Sequence, residues 1–170
     1  DYHNIAIDKD GRLFAWGMGR ANDVDMTQIK LQNCVEFDSL GALKQGLLTK
    51  AKGRVVEIGP GAGASFSYYQ QGIDWIGIEP NIYMHSYLEV EAKKQGFNSI
   101  ELRQGSAEDL PLENNSVDVV VSTHVLCSVQ DVSRSLQEVK RVLKPGGAFI
   151  FIEHVAGDRQ TWTYRFQQGI

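Results

Sequence analysis

Residues 54–63 have the sequence RVVEIGPGAG, in which an apolar run leads directly into a glycine-rich loop. Consecutive Val and Ile residues predict a strand over Arg54–Ile58 that is buried on both faces. Glycines at 59, 61 and 63 remove Cβ atoms, so the backbone can turn sharply and approach a ligand closely. A short helix predicted over Ser65–Tyr69 would point free N–H groups at a carboxylate or a phosphate. The stretch therefore predicts a ligand site at the end of a central strand.

Beyond this stretch, short apolar runs alternate with amphipathic segments, which is typical of βαβ units around a parallel sheet. The fold class that we expect is α/β: a three-layer sandwich with a Rossmann-like, mostly parallel sheet. Predicted strands are Arg54–Ile58, Ile73–Ile78, Ser99–Arg103, Val117–Ser122 and Ala148–His154. Predicted helices are Leu40–Lys50, Ile82–Gln95 and Val132–Leu143.

The last predicted helix has the clearest boundaries. Asp131 is placed to cap its first turn. Val132, Leu136, Val139 and Leu143 recur at the spacing of a helix. Residues 144–147, with the sequence KPGG, should stop the helix and turn the chain into the next strand.

Composition limits the classes of protein to which the chain can belong. Its 170 residues are enough for a sizeable core, and its net charge of −4 with a pI near 5.5 argues against a nucleic-acid partner. The apolar runs fall far short of the ~20 residues that span a bilayer, so we expect no membrane segment. Cys34 and Cys127 are too far apart to form a metal or redox motif, so we expect no metal and a reducing compartment, the cytoplasm.

The first 35 residues differ from the rest, and we divide the chain into an N-terminal extension, 1–35, and a catalytic domain, 36–170. Two apolar runs around Asp10-Gly11 predict a hairpin over Asn4–Gly17. This hairpin resembles one strand pair from the repeats of the regulator of chromosome condensation family. A plain N-terminal hairpin, or sequence from a neighbouring exon, are the other interpretations. The chain begins at Asp1 rather than Met, and we expect it to be a piece of a longer protein.

An acidic residue strengthens the prediction of a nucleoside ligand. Glu79 directly follows the second predicted strand, where a carboxylate can accept hydrogen bonds from both hydroxyls of a ribose. The loop and Glu79 alone fit two cofactors, because Gly59, Gly61 and Ala64 also satisfy the looser dinucleotide fingerprint. A nicotinamide-dependent oxidoreductase therefore remains open at this point.

Three downstream motifs favour the other cofactor. They are GSAEDLP at 105–111, NNSVDVV at 114–120 and VKRVLKPGG at 139–147. Their order and spacing strongly resemble class I S-adenosylmethionine-dependent methyltransferases. Within that superfamily, STHVLCSV at 122–129 and EHVA at 153–156 are similar to the methyltransferase-like group that includes thiol S-methyltransferases, and Trp162 and Gln167-Gln168 extend the likeness. The resemblance implies methyl transfer from S-adenosylmethionine to a small-molecule acceptor, a thiol being the first candidate, with S-adenosylhomocysteine as product.

The resemblance also implies the residues of a cofactor site, and no residue is assigned as catalytic. One residue beneath the loop would lie near the amino group of the cofactor. The loop itself would pass along the methionine and ribose portions of the cofactor. Residues later in the chain would contact the ribose, the adenine and the sulfonium. In chain order these are Glu57, Gly59, Pro60, Gly61, Gly63, Glu79, Pro80, Ser106, Ala107, Thr123 and His124. His124 could act as a base or could only shape the pocket. We expect Cys127 to be a buried structural thiol.

The match is incomplete at both ends. The family fold normally adds two further strands after the fifth, forming an antiparallel edge, and we expect these strands to be missing here. We therefore expect the fifth strand to be an exposed edge. The related proteins carry an N-terminal hydrophobic anchor that these residues do not show, so we expect no membrane attachment through them. A non-catalytic chain that binds cofactor or a partner is the alternative to an enzyme.

Overall fold

The computed structural model describes residues 3–7, 13–17 and 39–154. Its strands are β1 (His3–Ile7), β2 (Leu13–Gly17), β3 (Arg54–Ile58), β4 (Asp74–Ile78), β5 (Glu101–Arg103), β6 (Val117–Thr123) and β7 (Leu143–His154). Its helices are α1 (Leu40–Leu48), α2 (His85–Lys94) and α3 (Val132–Val142), with 3₁₀ turns at Phe66–Tyr68 and Ile82–Met84. The predicted loop at Asp10-Gly11 and the motif residues beyond His154 lie outside the described residues.

The strands form one sheet in the order β2-β1-β7-β6-β3-β4-β5. The five strands from β3 to β7 run parallel to their neighbours within this group, which confirms the Rossmann-like, mostly parallel sheet. The chain builds outward from β3 through β4 to β5, then returns to the other side of β3 for β6 and β7. This reversal brings the carboxyl ends of β3 and β6 together, which is where open α/β sheets bind ligands.

Two apolar layers enclose the sheet because successive strand residues point to opposite faces. On one face, Val55 and Trp75 pack with Leu43 of α1 and Leu88 of α2. On the other face, the apolar cluster includes side chains from β3, β4, β6, α3 and the 107–112 segment, such as Val56, Ile76, Val120, Val139 and Leu110. The three-layer sandwich is therefore confirmed.

Helix α3 begins as predicted, with Asp131 accepting a hydrogen bond from the backbone N–H of Arg134 at 3.0 Å. Of the apolar residues at helical spacing, Val132 and Leu136 are 45% and 43% exposed, whereas Val139 is buried. The buried face of α3 includes Ser135, Val139 and Val142, so Val132 and Leu136 lie outside it.

The KPGG segment forms a bulge inside β7 rather than a turn before it. Val117 pairs with Leu143 and Val119 pairs with Ala148, so β7 advances five residues while β6 advances two. Gly146, at φ 79°, supplies the left-handed conformation that this excursion needs. The strand therefore begins immediately after α3, five residues earlier than predicted.

The predicted exposed edge at the fifth parallel strand is wrong at the carboxyl end of that strand. β1 and β2 form the antiparallel hairpin that the sequence predicts, from His3↔Gly17 to Ile7↔Leu13. β1 also pairs antiparallel with β7 through Asn4↔His154 and Ile5↔Glu153. The N-terminal hairpin thus covers the carboxyl end of β7, on the side where the family fold would add its last strands.

Within the described residues, the longest helix has 11 residues and no helix has the length and apolar character to cross a bilayer.

Candidate functional site

A cleft of about 640 Å³ opens at the carboxyl ends of β3 and β6. Pockets that hold small ligands and cofactors commonly fall between roughly 300 and 1,000 Å³. Its walls combine apolar groups such as Ile58 and Ile78 with acidic groups such as Glu79 and Asp109. The cleft thus has the size and mixed lining that a nucleoside ligand needs.

The glycine-rich loop contributes Gly59 to one wall of the cleft, at a position where there is no room for a side chain. Gly59 has a φ of 59°, and a Cβ built on it would lie 2.8 Å from Cγ2 of Val125. Any larger residue at 59 would therefore meet both backbone strain and a steric clash. Glycine at this position is a requirement of the loop and of its packing against the segment after β6.

Glu79 is held by two backbone groups before any ligand arrives. The N–H of Gly61 donates to its Oε2, and the N–H of Asn81 donates to its Oε1, both at 3.0 Å. The residue is 7% exposed and lines the cleft. Each carboxylate oxygen has further lone pairs, so both can still accept a hydrogen bond from a ribose hydroxyl.

Glu57 lies beneath the loop and does not line the cleft. It is 3% exposed, and the Tyr69 hydroxyl donates to its Oε2 at 2.9 Å. Burial raises the pKa of the Glu57 carboxyl, although hydrogen bonds from Ser65 and Tyr69 and the charge of Lys44 oppose the shift. Glu57 therefore links the end of β3 to Tyr69, beneath the glycine-rich loop.

The segment after β6 forms the opposite wall. His124 has a φ of 57°, and its backbone N–H donates to the Ile152 carbonyl of β7 at 2.7 Å. This left-handed residue ends the strand and turns His124 and Val125 into the cleft wall. The Thr123 hydroxyl oxygen is buried and has no hydrogen-bond partner within residues 39–154.

Hydrogen bonds between Glu108 and the segment at the start of α3 border the cleft on the side where the resemblance places adenine. The Glu108 carboxylate accepts from the N–H of Gln130 at 2.7 Å, and the Arg134 side chain donates to the Glu108 carbonyl at 2.9 Å. The hydrogen bond from the Gln130 N–H holds the pKa of Glu108 below its usual value. These hydrogen bonds fix the position of Ser106 and Ala107, which line the cleft, relative to the start of α3.

The structure brings together six of the eleven predicted cofactor-binding residues as cleft lining: Gly59, Glu79, Pro80, Ser106, Ala107 and His124. The other five lie outside the lining: Glu57, Pro60, Gly61, Gly63 and Thr123. Gly61 contributes through its bond to Glu79, and Glu57 and Thr123 are adjacent in sequence to lining residues. The roles assigned to these eleven residues remain predictions.

Ten lining residues carried no site assignment: Ile58, Ile78, Glu108, Asp109, Val125, Ser128, Val129, Gln130, Asp131 and Arg134. Six of the ten follow β6: Val125 and the five that lie within residues 128–134. The sequence contained one signal for a role of these residues in the site. They lie between the end of a predicted strand and the start of a predicted helix, at the carboxyl edge of the sheet.

The prediction of a buried thiol is wrong, because Cys127 is free and exposed. The left-handed turn at His124 ends β6, so the apolar residues that follow form a surface turn instead of continuing the strand. The Cys127 Sγ lies 3.7 Å from the His124 carbonyl oxygen.

The residues present fit S-adenosylmethionine. Glu79 offers a fixed pair of acceptor oxygens for two neighbouring hydroxyls, and Gly59 lines the cleft without a side chain. The acidic lining suits a ligand that carries positive charge. The residues that would hold it are the glycine loop, Glu79, the 106–107 segment and His124.

Comparison with known proteins supports the same family. The methyltransferase domain family matches residues 56–151, more than half of the chain. Human thiol S-methyltransferase TMT1A is 41% identical over 116 residues, covering 67% of this chain and 48% of that protein. Human thiol S-methyltransferase TMT1B is 40% identical over 125 residues, covering 71% and 51%. The chain thus spans about half the length of these relatives.

A solved structure supports the fold. The YcgJ protein of Bacillus subtilis is 32% identical and superimposes with a TM-score of 0.57, covering 68% of this chain and 50% of that one. The resemblance of the N-terminal hairpin to the chromosome condensation family stays a prediction. From the sheet, the cleft at its reversal point and these matches, we conclude that the chain belongs to the class I S-adenosylmethionine-dependent methyltransferases.

Proposed function

We propose that this protein transfers the methyl group of S-adenosylmethionine to a small-molecule acceptor, with a thiol as the acceptor class. The observation that carries the proposal is Glu79, whose carboxylate is fixed by two backbone N–H groups on the wall of the cleft. Such preorganised acceptors favour a ribose over a ligand without paired hydroxyls. The family membership supports the same cofactor.

The cofactor supplies an electrophilic methyl group on a positively charged sulfur, so the protein need not provide a covalent nucleophile. The chain's task is to bind and orient. The glycine loop and Glu79 hold one reactant, while His124 faces the position of the second. Holding two reactants in line at ~3–3.5 Å can supply ~7–11 kcal/mol of the barrier.

A thiol acceptor is supported by the relatives and by the chemistry of methyl transfer. The matched halves of TMT1A and TMT1B, both named thiol S-methyltransferases, are about 40% identical to this chain. A thiol, a few per cent ionised near neutral pH, needs little base assistance to accept a methyl group. We also propose a reducing compartment such as the cytoplasm, in keeping with the free thiol of Cys127.

Two measurements test the proposal. Calorimetric titration with S-adenosylhomocysteine should give saturable binding, whereas NADH should give none. Transfer of a labelled methyl group should then be measured with simple thiols, phenols and amines, and thiols should react fastest. Tight NADH binding without S-adenosylhomocysteine binding would reject the methyltransferase. Saturable cofactor binding without transfer to any acceptor would favour a non-catalytic binding protein.

A further inference from the structure

Glu153 of β7 connects the end of β7 to the segment after β6. Its side chain is 94% buried, since only 6% is exposed. Oε1 accepts two hydrogen bonds, from the Ser122 hydroxyl at 2.8 Å and from the Val125 N–H at 3.0 Å. Oε2 is buried and has no hydrogen-bond partner among the described residues. A buried carboxylate with this geometry needs an explanation beyond the stability of the sheet.

The segment that Glu153 holds has a conformation that it would not adopt unaided. His124, a residue with a Cβ, has a φ of 57°. Left-handed backbone at such a residue persists only where its surroundings enforce it. β7 supplies two restraints, because the Ile152 carbonyl accepts from the His124 N–H and the Glu153 carboxylate accepts from the Val125 N–H.

The same segment packs against the glycine-rich loop. A Cβ on Gly59 would lie 2.8 Å from Cγ2 of Val125 and 3.3 Å from its Cγ1, so the two walls fit without spare room. Gly59, His124 and Val125 all line the cleft. A shift of Val125 would therefore change the width of the cleft at the glycine loop.

We propose that Glu153 is a positioning residue for the methyl-transfer site, which holds Val125 and His124 in the conformation that shapes the cleft against Gly59. The inference rests on the proposed function for the assignment of the cleft to S-adenosylmethionine. Both contacts use Oε1 as an acceptor, so the role requires an oxygen at that place and not a negative charge.

The difference between an acceptor oxygen and a negative charge determines which variants test the role of Glu153. Glu153→Gln keeps a carbonyl oxygen that can accept from Ser122 and Val125, whereas Glu153→Ala removes the acceptor. Val117→Ala is the matched control, because Val117 is fully buried at the opposite end of β6, far from the cleft lining. It should lower stability without moving the segment after the strand.

Two readouts are measured on the full chain. Calorimetric titration with S-adenosylhomocysteine should show about ten- to thirtyfold weaker binding for Glu153→Ala, and binding within about threefold of the unsubstituted chain for Glu153→Gln and Val117→Ala. Amide hydrogen exchange by NMR, without ligand, should show loss of protection of the Val125 N–H in Glu153→Ala alone. Normal binding by Glu153→Gln would show that the acceptor oxygen and not the charge of Glu153 is needed. Normal binding by Val117→Ala would show that a general loss of stability does not weaken binding.

The outcomes that contradict the inference are distinct from failure of the proposed function. If the unsubstituted chain binds no S-adenosylhomocysteine, the proposed function fails, yet the exchange of the Val125 N–H still reports whether Glu153 holds the segment. If the chain binds and Glu153→Ala binds equally well, the positioning role is overturned. Weak binding by Glu153→Gln, equal to that of Glu153→Ala, would also overturn it, because charge would then be required.

Discussion

At the scale of single residues, the cleft depends on buried carboxylates whose partners are backbone N–H groups. Glu79 is fixed by Gly61 and Asn81, and Glu153 is fixed in part by Val125. These hydrogen bonds tie each loop to a buried side chain, so Glu79 and Glu153 set loop conformations. Two loops that define the site are therefore shaped by side chains from neighbouring strands.

Replacing Glu79 tests the ribose assignment. Glu79→Ala should weaken binding of S-adenosylhomocysteine by about ten- to a hundredfold, because it leaves ribose hydroxyls unpaired and releases the Gly61 N–H. Calorimetric titration measures the change. Glu89→Ala, at an exposed position of α2, is the control and should bind like the unsubstituted chain. Unchanged affinity in a folded Glu79→Ala variant would remove Glu79 from the site.

Glu57 should make stability depend on pH. Its carboxyl has a pKa raised in the folded state chiefly by burial, so the native chain binds a proton more tightly than the unfolded chain, whose value is near 4.5. The stability contribution of this group is present below pH 4.5 and is lost as the pH rises through the folded pKa. Each unit of the shift corresponds to about 1.4 kcal/mol.

Glu57→Gln removes this titration while keeping an oxygen that can accept from Tyr69. The difference in unfolding free energy between the variant and the unsubstituted chain should move in favour of the variant as the pH rises above about 4.5. Urea unfolding at a series of pH values measures it. A difference that stays constant with pH would show that Glu57 titrates normally in the folded chain.

At the scale of elements, the N-terminal hairpin decides how the sheet ends. β1 pairs with the last two residues of β7, Glu153 and His154, and β2 pairs with β1 on its outer side. An uncovered edge strand presents unpaired N–H and C=O groups that recruit another chain. The hairpin therefore covers the carboxyl end of β7, where Glu153 lies.

Removal of residues 1–17 should expose that edge. We expect the shortened chain to self-associate in a concentration-dependent way and to unfold at a lower temperature than the full chain. Light scattering coupled to size-exclusion chromatography measures the association, and calorimetry measures the unfolding temperature. A shortened chain that stays monomeric and unfolds at the same temperature would show that β1 contributes nothing to the edge of β7.

At the scale of the whole molecule, the cleft joins parts of the chain that lie far apart in sequence. Its lining extends from Ile58 to Arg134 and includes the ends of β3, β4 and β6. A ligand that contacts all of these parts binds only the folded chain. Binding energy in the cleft is therefore added to the free energy of unfolding.

Ligand should stabilise the protein by a calculable amount. At a concentration of S-adenosylhomocysteine one hundred times its Kd, the added stability is about 2.7 kcal/mol. For a chain of this size that corresponds to a rise in unfolding temperature of roughly 5–10 °C. Scanning calorimetry measures it, with NADH at equal concentration as the control. Equal stabilisation by both ligands would contradict the assignment of the cleft to S-adenosylmethionine.

The sequence alone determined the local features of this protein. The bounds of β3, the start of α3 at Asp131 and the N-terminal hairpin follow from residue periodicity, capping and turn chemistry, and the structure has them where the sequence places them. The cofactor class followed from motifs in fixed order. These features are readable because each depends on residues close together in the chain.

Only the tertiary structure decided the pairing of β1 with β7, the exposure of Leu136 and Cys127, and the bonds from Glu153 to the segment after β6. The same apolar residue is buried or exposed according to which face of its helix packs against the sheet, and the same carboxylate is a surface charge or a loop restraint according to what folds against it. No local pattern contains that information, because it arises only when distant segments meet.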